Sequence, residues 1–138
     1  TPGGREVWVT ALDSHQVTVL EPGGRVLATF ASGGEGPTRV RFTPDGRLAV
    51  IPHDGSSTLT LVDVASRAAV ASVPLAAAPK VLALSRDGRT AAVTHPEGKM
   101  VSIVDLERRT VSHTIALPGV PDGIAYTSAS VRQGTMKP

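Results

Sequence analysis

The chain has 138 residues, a formal net charge of +2 and an apolar share of 41%, enough for one domain with a core of its own. Its slight excess of basic residues forms no basic arm, so nothing favours a nucleic-acid interface, and the absence of cysteine excludes disulfides and thiolate metal sites. No apolar run approaches the length of a membrane span, no stretch reads as a signal peptide, and the chain starts at Thr1 without a Met, which fits processing or excision from a longer chain.

In chain order, the first stretch runs from Gly3 to Pro22 as GGREVWVTALDSHQVTVLEP, two apolar segments around a turn. Gly23-Gly24 and Gly33-Gly34-Glu35-Gly36 read as turns, and no helix follows them, which excludes phosphate loops. A short strand is predicted over 40–42. From Asp45 to Val64 the chain reads DGRLAVIPHDGSSTLTLVDV, with strands predicted over 48–51 and 59–64 and another over 69–73. These segments are too short for helices, and no apolar stripe at helical spacing crosses them. The unit returns from Asp87 to Leu106 as DGRTAAVTHPEGKMVSIVDL, and a last short strand is predicted over 123–126. The tail, 129–138, breaks the pattern and reads as a frayed polar end, a linker or a docking arm.

A fixed step connects the copies. Gly4, Gly46 and Gly88 are 42 residues apart, as are Pro37, Pro79 and Pro121, Arg25, Arg67 and Arg109, and Glu21, Asp63 and Asp105. Four short strands in about 42 residues make the size of one propeller blade. The expected fold is therefore all-β, a propeller of four-stranded, 42-residue blades with three blades in residues 1–128. Near-continuous apolar runs fit blades covered on both faces. Asp45-Gly46 and Asp87-Gly88 fit two-residue hairpin turns. Asp63 and Asp105, at strand ends, can accept hydrogen bonds from turn N–H groups, and Arg67 and Arg109 four residues on could pair with them.

The run AVTHPEGKMVSIVDLERRTVSHTIAL, from Ala92 to Leu117, resembles the YVTN-type β-propeller repeat family. Val93-Thr94-His95 stands where that family has Val-Thr-Asn, and Val104-Asp105 and Arg86-Asp87-Gly88 match its other landmarks. The resemblance covers residues 3 to about 128. It implies blade strands A to D from the inside outward, in the order BCD-ABCD-ABCD-A. The last strand is then what the first blade lacks, and two chains would make six blades; a segment of a longer, seven- or eight-bladed chain is the rival reading. The resemblance also implies a secreted or periplasmic location.

Candidate ligand residues lie where copies differ or a costly residue recurs. His53 and His95 share a repeat position, read as the B–C turn, and the resembled architecture puts B–C turns and D–A loops on one face. His53, His95, Lys80 and Asp122 would then share a rim, where imidazole could hold a metal or haem iron or move protons; solvated turn residues are the plainer alternative. Thr38, Lys80 and Asp122 occupy one repeat slot and differ completely. Arg39 and Arg41 alternate along an inner strand, which requires a wet, anion-binding channel or a local ion pair at a blade boundary, because buried unpaired charge is too costly. His15 and His113 read as surface residues. No nucleophile–His–acid constellation is present. The expected function is a non-catalytic scaffold binding a protein or small-molecule ligand. The alternative, by resemblance, is the propeller of a haem- or quinone-linked oxidoreductase, of the d-type-haem nitrite reductase or quinoprotein amine dehydrogenase kind.

Overall fold

The structure, a computed structural model, describes residues 1–127; the tail at 129–138 lies outside them. The described residues form eleven strands and no helix. A three-stranded sheet comes first, β1 (Val7–Ala11), β2 (Gln16–Leu20) and β3 (Val26–Ala31). A four-stranded sheet follows, β4 (Arg41–Phe42), β5 (Leu48–His53), β6 (Thr58–Asp63) and β7 (Ala68–Pro74). The third sheet holds β8 (Leu82–Leu84), β9 (Thr90–His95), β10 (Met100–Asp105) and β11 (Thr110–Ala116). Each sheet is an antiparallel meander in sequence order, and together they form a partial β-propeller. The copies agree in register: Ala49 faces Val62 in the second blade as Ala91 faces Val104 in the third. Each blade also carries a β-bulge at one repeat slot, after Val19, Leu61 and Ile103. A bulge sharpens local twist, so the three sheets twist alike and can nest.

The core lies between the blades. Val50, Leu59, Leu61 and Val73 of the second blade meet Leu82, Ala91, Val93, Val104 and Leu106 of the third. On its other face the second blade packs Ala49, Ile51 and Val62 against Trp8, Val17 and Val19 of the first. Trp8 stands edge-on to Phe30 and Phe42, with ring centroids 5.3 and 5.2 Å away, the offset geometry that ring quadrupoles favour. Three of the chain's four aromatic residues thus fill one seam.

Turn chemistry differs in two respects from the sequence expectation. The Asp-Gly turns are four-residue loops, not two-residue ones, because Thr43 N–H bonds the Leu48 carbonyl and encloses residues 44–47. Asp45 accepts from the Thr43 hydroxyl at 2.7 Å and the Arg47 N–H at 3.0 Å, while Gly46 takes the positive φ of 74° that favours glycine. Asp63 and Asp105 do accept turn N–H groups, from Ser66 at 2.8 Å and from Glu107 and Arg108 at 3.0 and 2.9 Å. The arginines, however, reach back one blade. Arg67 donates to Glu6 at 2.8 Å and Arg109 to the Val70 carbonyl at 3.1 Å. Both leave the C–D turn with positive φ, near 60°, which turns them away from the Asp of their own copy. Only Arg25 pairs within its copy, with Glu21.

Leu61 is fully buried in the seam between the second and third blades. Leu61→Ala is expected to cost about 2–5 kcal/mol through lost burial and a cavity. Val26→Ala, at a residue 60% exposed, should stay within about 0.5 kcal/mol. Urea unfolding of both variants checks this, and equal midpoints would show that the seam is not the core.

Candidate functional site

B–C turns and D–A loops share one face of the molecule. A cavity of about 330 Å³ opens there between the second and third blades, lined by Thr38, Arg39, Asp54, Lys80, Pro96 and Glu97. Thr38 and Lys80 come from consecutive D–A loops; Asp54, Pro96 and Glu97 come from consecutive B–C turns. Slots 42 residues apart meet around the axis. Thr38 Oγ1 donates to the Lys80 carbonyl at 3.4 Å, and Lys80 Nζ to Asp122 Oδ1 at 2.8 Å. The Lys80 ammonium, helped by Arg39, holds the Asp122 carboxyl below its ordinary range. With side chains 51% and 82% exposed, solvent screens this ion pair; its weight is positional.

Arg39 and Arg41 are both exposed. Val40 and Phe42, which alternate with them, pack into the seam toward the first blade, so the arginines take the other side of the inner strand. Arg39 donates to the Thr38 carbonyl at 2.8 Å. Neither arginine forms an ion pair among the described residues. Arg41 lines a second cavity of about 530 Å³ with Phe42, Leu84, Arg86 and Tyr126. Phe42, Leu84 and Tyr126 share one repeat slot, so this cavity follows the inner strands along the axis.

The histidines are placed differently from expectation. His53 and His95 are the last residues of β5 and β9, not turn residues, and both are fully buried. The His53 ring bridges two blades: Nε2 lies 2.9 Å from Ser32 Oγ and Nδ1 lies 3.3 Å from Thr60 Oγ1. The Ser32 hydroxyl also lies within donating distance of the His15 carbonyl at 2.9 Å and the Gly34 carbonyl at 3.2 Å. A neutral ring that donates from Nε2 to Ser32 and accepts at Nδ1 from Thr60 uses both of its nitrogens in this arrangement. His95 bonds Ser102 through Nε2 at 2.7 Å, while its buried Nδ1 has no hydrogen-bond partner. The repeat explains the difference. The slot of Ser32 is Pro74 one copy on, which has no hydroxyl. Gly34, so close to His53 that a Cβ would lie 2.7 Å from Cγ, becomes Ala76. Burial lowers the pKa of both rings, opposed at His53 by the backbone of Ile51 and Ser32 and at His95 by that of Ala78 and Ala77. Of the six sequence candidates, the structure brings Arg39, Lys80 and Asp122 together, sets Arg41 further along the channel, and withdraws His53 and His95 into the blade seams. Asp54 and Glu97 were not expected. The signal for them was available, since they follow His53 and His95 by one and two residues.

His15 is exposed and lies on the loop face. Its Nδ1 accepts the Gly36 N–H at 2.9 Å. His113 lies on the outermost strand, β11, and is exposed. The described residues contain no group of three or more His, Cys, Asp or Glu that could hold a metal ion.

The fold and this loop face define the chain as a segment of a β-propeller. No protein-family model matches it, and no curated protein matches it in sequence. Among solved structures it is similar to Kuenenia stuttgartiensis hydrazine synthase, at 20% identity and a TM-score of 0.81, over 87% of this chain and 35% of that one. It is also similar to the dihydro-heme d1 dehydrogenase NirN, solved in complex with DHE, at 26% identity and a TM-score of 0.71, over 83% of this chain and 25% of that one. The chain thus spans about a third and a quarter of these two proteins.

A buried neutral histidine binds its proton less readily than the same residue in the unfolded chain. His53 and His95 therefore stabilise the fold fully above their ordinary value of 6.5, and that stability is lost as pH falls toward their depressed folded values. The lowered carboxylates, Glu6, Asp45, Asp63, Asp87 and Asp122, act the same way only near and below ordinary values of 4.5 for Glu and 3.8 for Asp. Urea midpoints should drop between about pH 7.5 and 5.5, and a His53→Asn/His95→Asn variant should show a flatter profile. An identical slope in the two proteins would refute this assignment.

Proposed function

We propose that this chain is a YVTN-type repeat segment of a β-propeller that binds an anionic small molecule, without catalysing its conversion, at the channel end of the face formed by the B–C turns and D–A loops. One observation carries this reading: Arg39 and Arg41 stand exposed and without ion pairs along the inner strand, and Lys80 joins Arg39 at the cavity between the blades. Charge-assisted hydrogen bonds from such groups to carboxylate or phosphate contribute about 1.5–3 kcal/mol each. The ring these blades begin is completed by further blades, from a second copy or from the remainder of a longer chain.

The likeness to the dihydro-heme d1 dehydrogenase NirN, at 26% identity, supports a second reading, that the propeller serves haem chemistry. Iron ligation does not fit His53 and His95, which are sealed in the seams, or His113, which lies on the outer strand, and Nδ1 of His15 is taken by the Gly36 N–H. What the chain offers a haem is cationic contact with its carboxylates. Both readings therefore meet at Arg39, Arg41 and Lys80.

Absorbance titration with haem b and with its uncharged dimethyl ester tests the proposal. The free acid should bind at least about tenfold more tightly than the ester, and Arg39→Ala/Lys80→Ala should remove that preference, as expected for loss of about 1.4 kcal/mol or more per contact. Equal affinity for acid and ester, or an unchanged preference in the variant, would overturn it.

A further inference from the structure

His95 is a buried titratable group that the fold leaves half used. It ends β9 with no exposed surface. Its Nε2 meets Ser102 Oγ of β10 at 2.7 Å, and its Nδ1 has no hydrogen-bond partner among the described residues. The backbones of Ala77 and Ala78, in the D–A loop that carries Lys80, also face the ring. Burial lowers its pKa and those two backbones oppose the shift; no charged group among the described residues contributes to it. A neutral ring leaves one nitrogen idle. A protonated ring has two N–H donors, with a hydroxyl on one side and loop carbonyls on the other to receive them. Desolvation is what keeps the second proton off.

This ring adjoins the cavity on the loop face. Ala78 lines that cavity, and so do Pro96 and Glu97, the two residues that follow His95. Lys80 is tied to the same strand end. Its N–H donates to the Thr94 carbonyl at 2.9 Å, and the Thr94 N–H donates to the Val81 carbonyl at 2.9 Å. Thr94 Oγ1 also accepts the Val81 N–H at 3.1 Å. The ammonium at the cavity is thus anchored to the residue before His95. The charged groups around the cavity are Arg39, Lys80, Asp54 and Glu97, with Asp122 paired to Lys80 and Lys99 in the turn of Glu97. Arginine and lysine keep their charge between about pH 5 and 8, and carboxylates change theirs mainly below that range. An imidazole beside the cavity is the group suited to change charge within it.

We propose that the site takes up its anion together with a proton: an anion held by Arg39 and Lys80 and a proton held by His95 stabilise each other. This rests on the anion reading of the same cavity and names its regulation. The negative charge of the ligand favours the imidazolium across a few residues of poorly polarisable protein. Linkage makes the effect reciprocal, so affinity for the anion rises as pH falls. His53 is the internal contrast. Both of its nitrogens have partners, Ser32 and Thr60. Thr38 stands in its preceding loop where Lys80 stands in the next, and the charge of His15 opposes its protonation. Two rings in one repeat slot are therefore built for different tasks, His53 to lock a seam and His95 to report on the ligand.

Sulfate is the probe, because its double charge does not change over the range in which imidazole titrates. NMR titrations at constant ionic strength follow the backbone signals of Ala78 and Lys80 for sulfate and the ring signals of His95 for protons. Sulfate affinity should rise about threefold from about pH 7.5 to 5.5. Saturating sulfate should raise the pH at which the His95 ring takes its proton, a readout made on the unmodified protein. In His95→Asn the affinity should no longer depend on pH, whereas His15→Asn and His53→Asn should keep the dependence. A His95 titration unmoved by bound sulfate, or a pH dependence that survives in folded His95→Asn, would overturn the coupling and leave the anion site standing. No saturable sulfate binding at either pH would overturn the anion reading, and the coupling with it.

Discussion

Contact between blade faces is the constraint on which everything else in this molecule depends. A four-stranded sheet with apolar side chains on both sides cannot keep either face from water alone. Its residues become core only when a neighbour with the same twist is laid against it. The middle blade shows the effect: Val50, Leu59 and Leu61 on one face and Ala49, Ile51 and Val62 on the other are all sealed. Burying a side chain the size of Val, Leu or Ile contributes about 1.5–3 kcal/mol, and the middle blade gathers such terms on both sides. The end blades gather them on one side only, which is why the large exposed apolar residues of the described chain include Val7, Val9 and Ile115. Matching bulges after Val19, Leu61 and Ile103 keep the three twists alike, without which the faces would not nest.

Polar contacts lock what apolar packing brings together. Glu6 accepts the Trp8 indole N–H and the Arg67 guanidinium, each at 2.8 Å. The Trp8 bond is the leading reason that its carboxyl lies below the ordinary range, with Arg67 adding to it against partial burial. One carboxylate thus fixes the largest aromatic of the first seam and ties it to the outer turn of the second blade. The Ser32–His53–Thr60 chain does the same from the other end of that seam, with neutral partners. The next seam has only half of that chain, because Pro74 replaces the hydroxyl. A buried nitrogen without a partner costs free energy comparable to a lost hydrogen bond, so the polar lock of the second seam is the weaker of the two.

The blade period, the strand class and the turn acids were legible in the chain because they are local: one copy of the unit contains its hairpins, its Asp-Gly loops and its strand-end carboxylates. The partners of the long side chains were not, because they belong to other blades. Arg67 finds Glu6 sixty-one residues away, and His53 finds Ser32 twenty-one residues away. Neither distance can be read from a period of 42. The histidines were misplaced for a related reason. A strand-end residue and a turn residue look alike in one repeat, and pairing across the B–C hairpin, His53 with Thr58 and His95 with Met100, is what carries both strands to the histidines. Lys80 and Asp122 were legible as a divergent slot, and the structure shows that successive copies of that slot touch.

The two ends of the channel obey different rules. At the hairpin end, a groove is lined by Asp45, Arg47, Asp87, Arg89, Glu107 and Arg109, residues that are largely the same from copy to copy and bond to one another. Asp87 takes the Ser85 hydroxyl and the Arg89 N–H as Asp45 takes the Thr43 hydroxyl and the Arg47 N–H, and Arg89 meets Glu107 at 3.5 Å. Charge at that end is absorbed by the fold. At the loop end the slot of Thr38 changes to Lys80 and then to Asp122, and the inner strand of one blade alone carries Arg39 and Arg41. A repeat keeps the residues that every blade needs and is free to vary those that none needs. Arg39 and Arg41 occur in one blade only, line cavities and form no ion pair among the described residues, so of the varying groups they are the ones left for something outside the chain to bind.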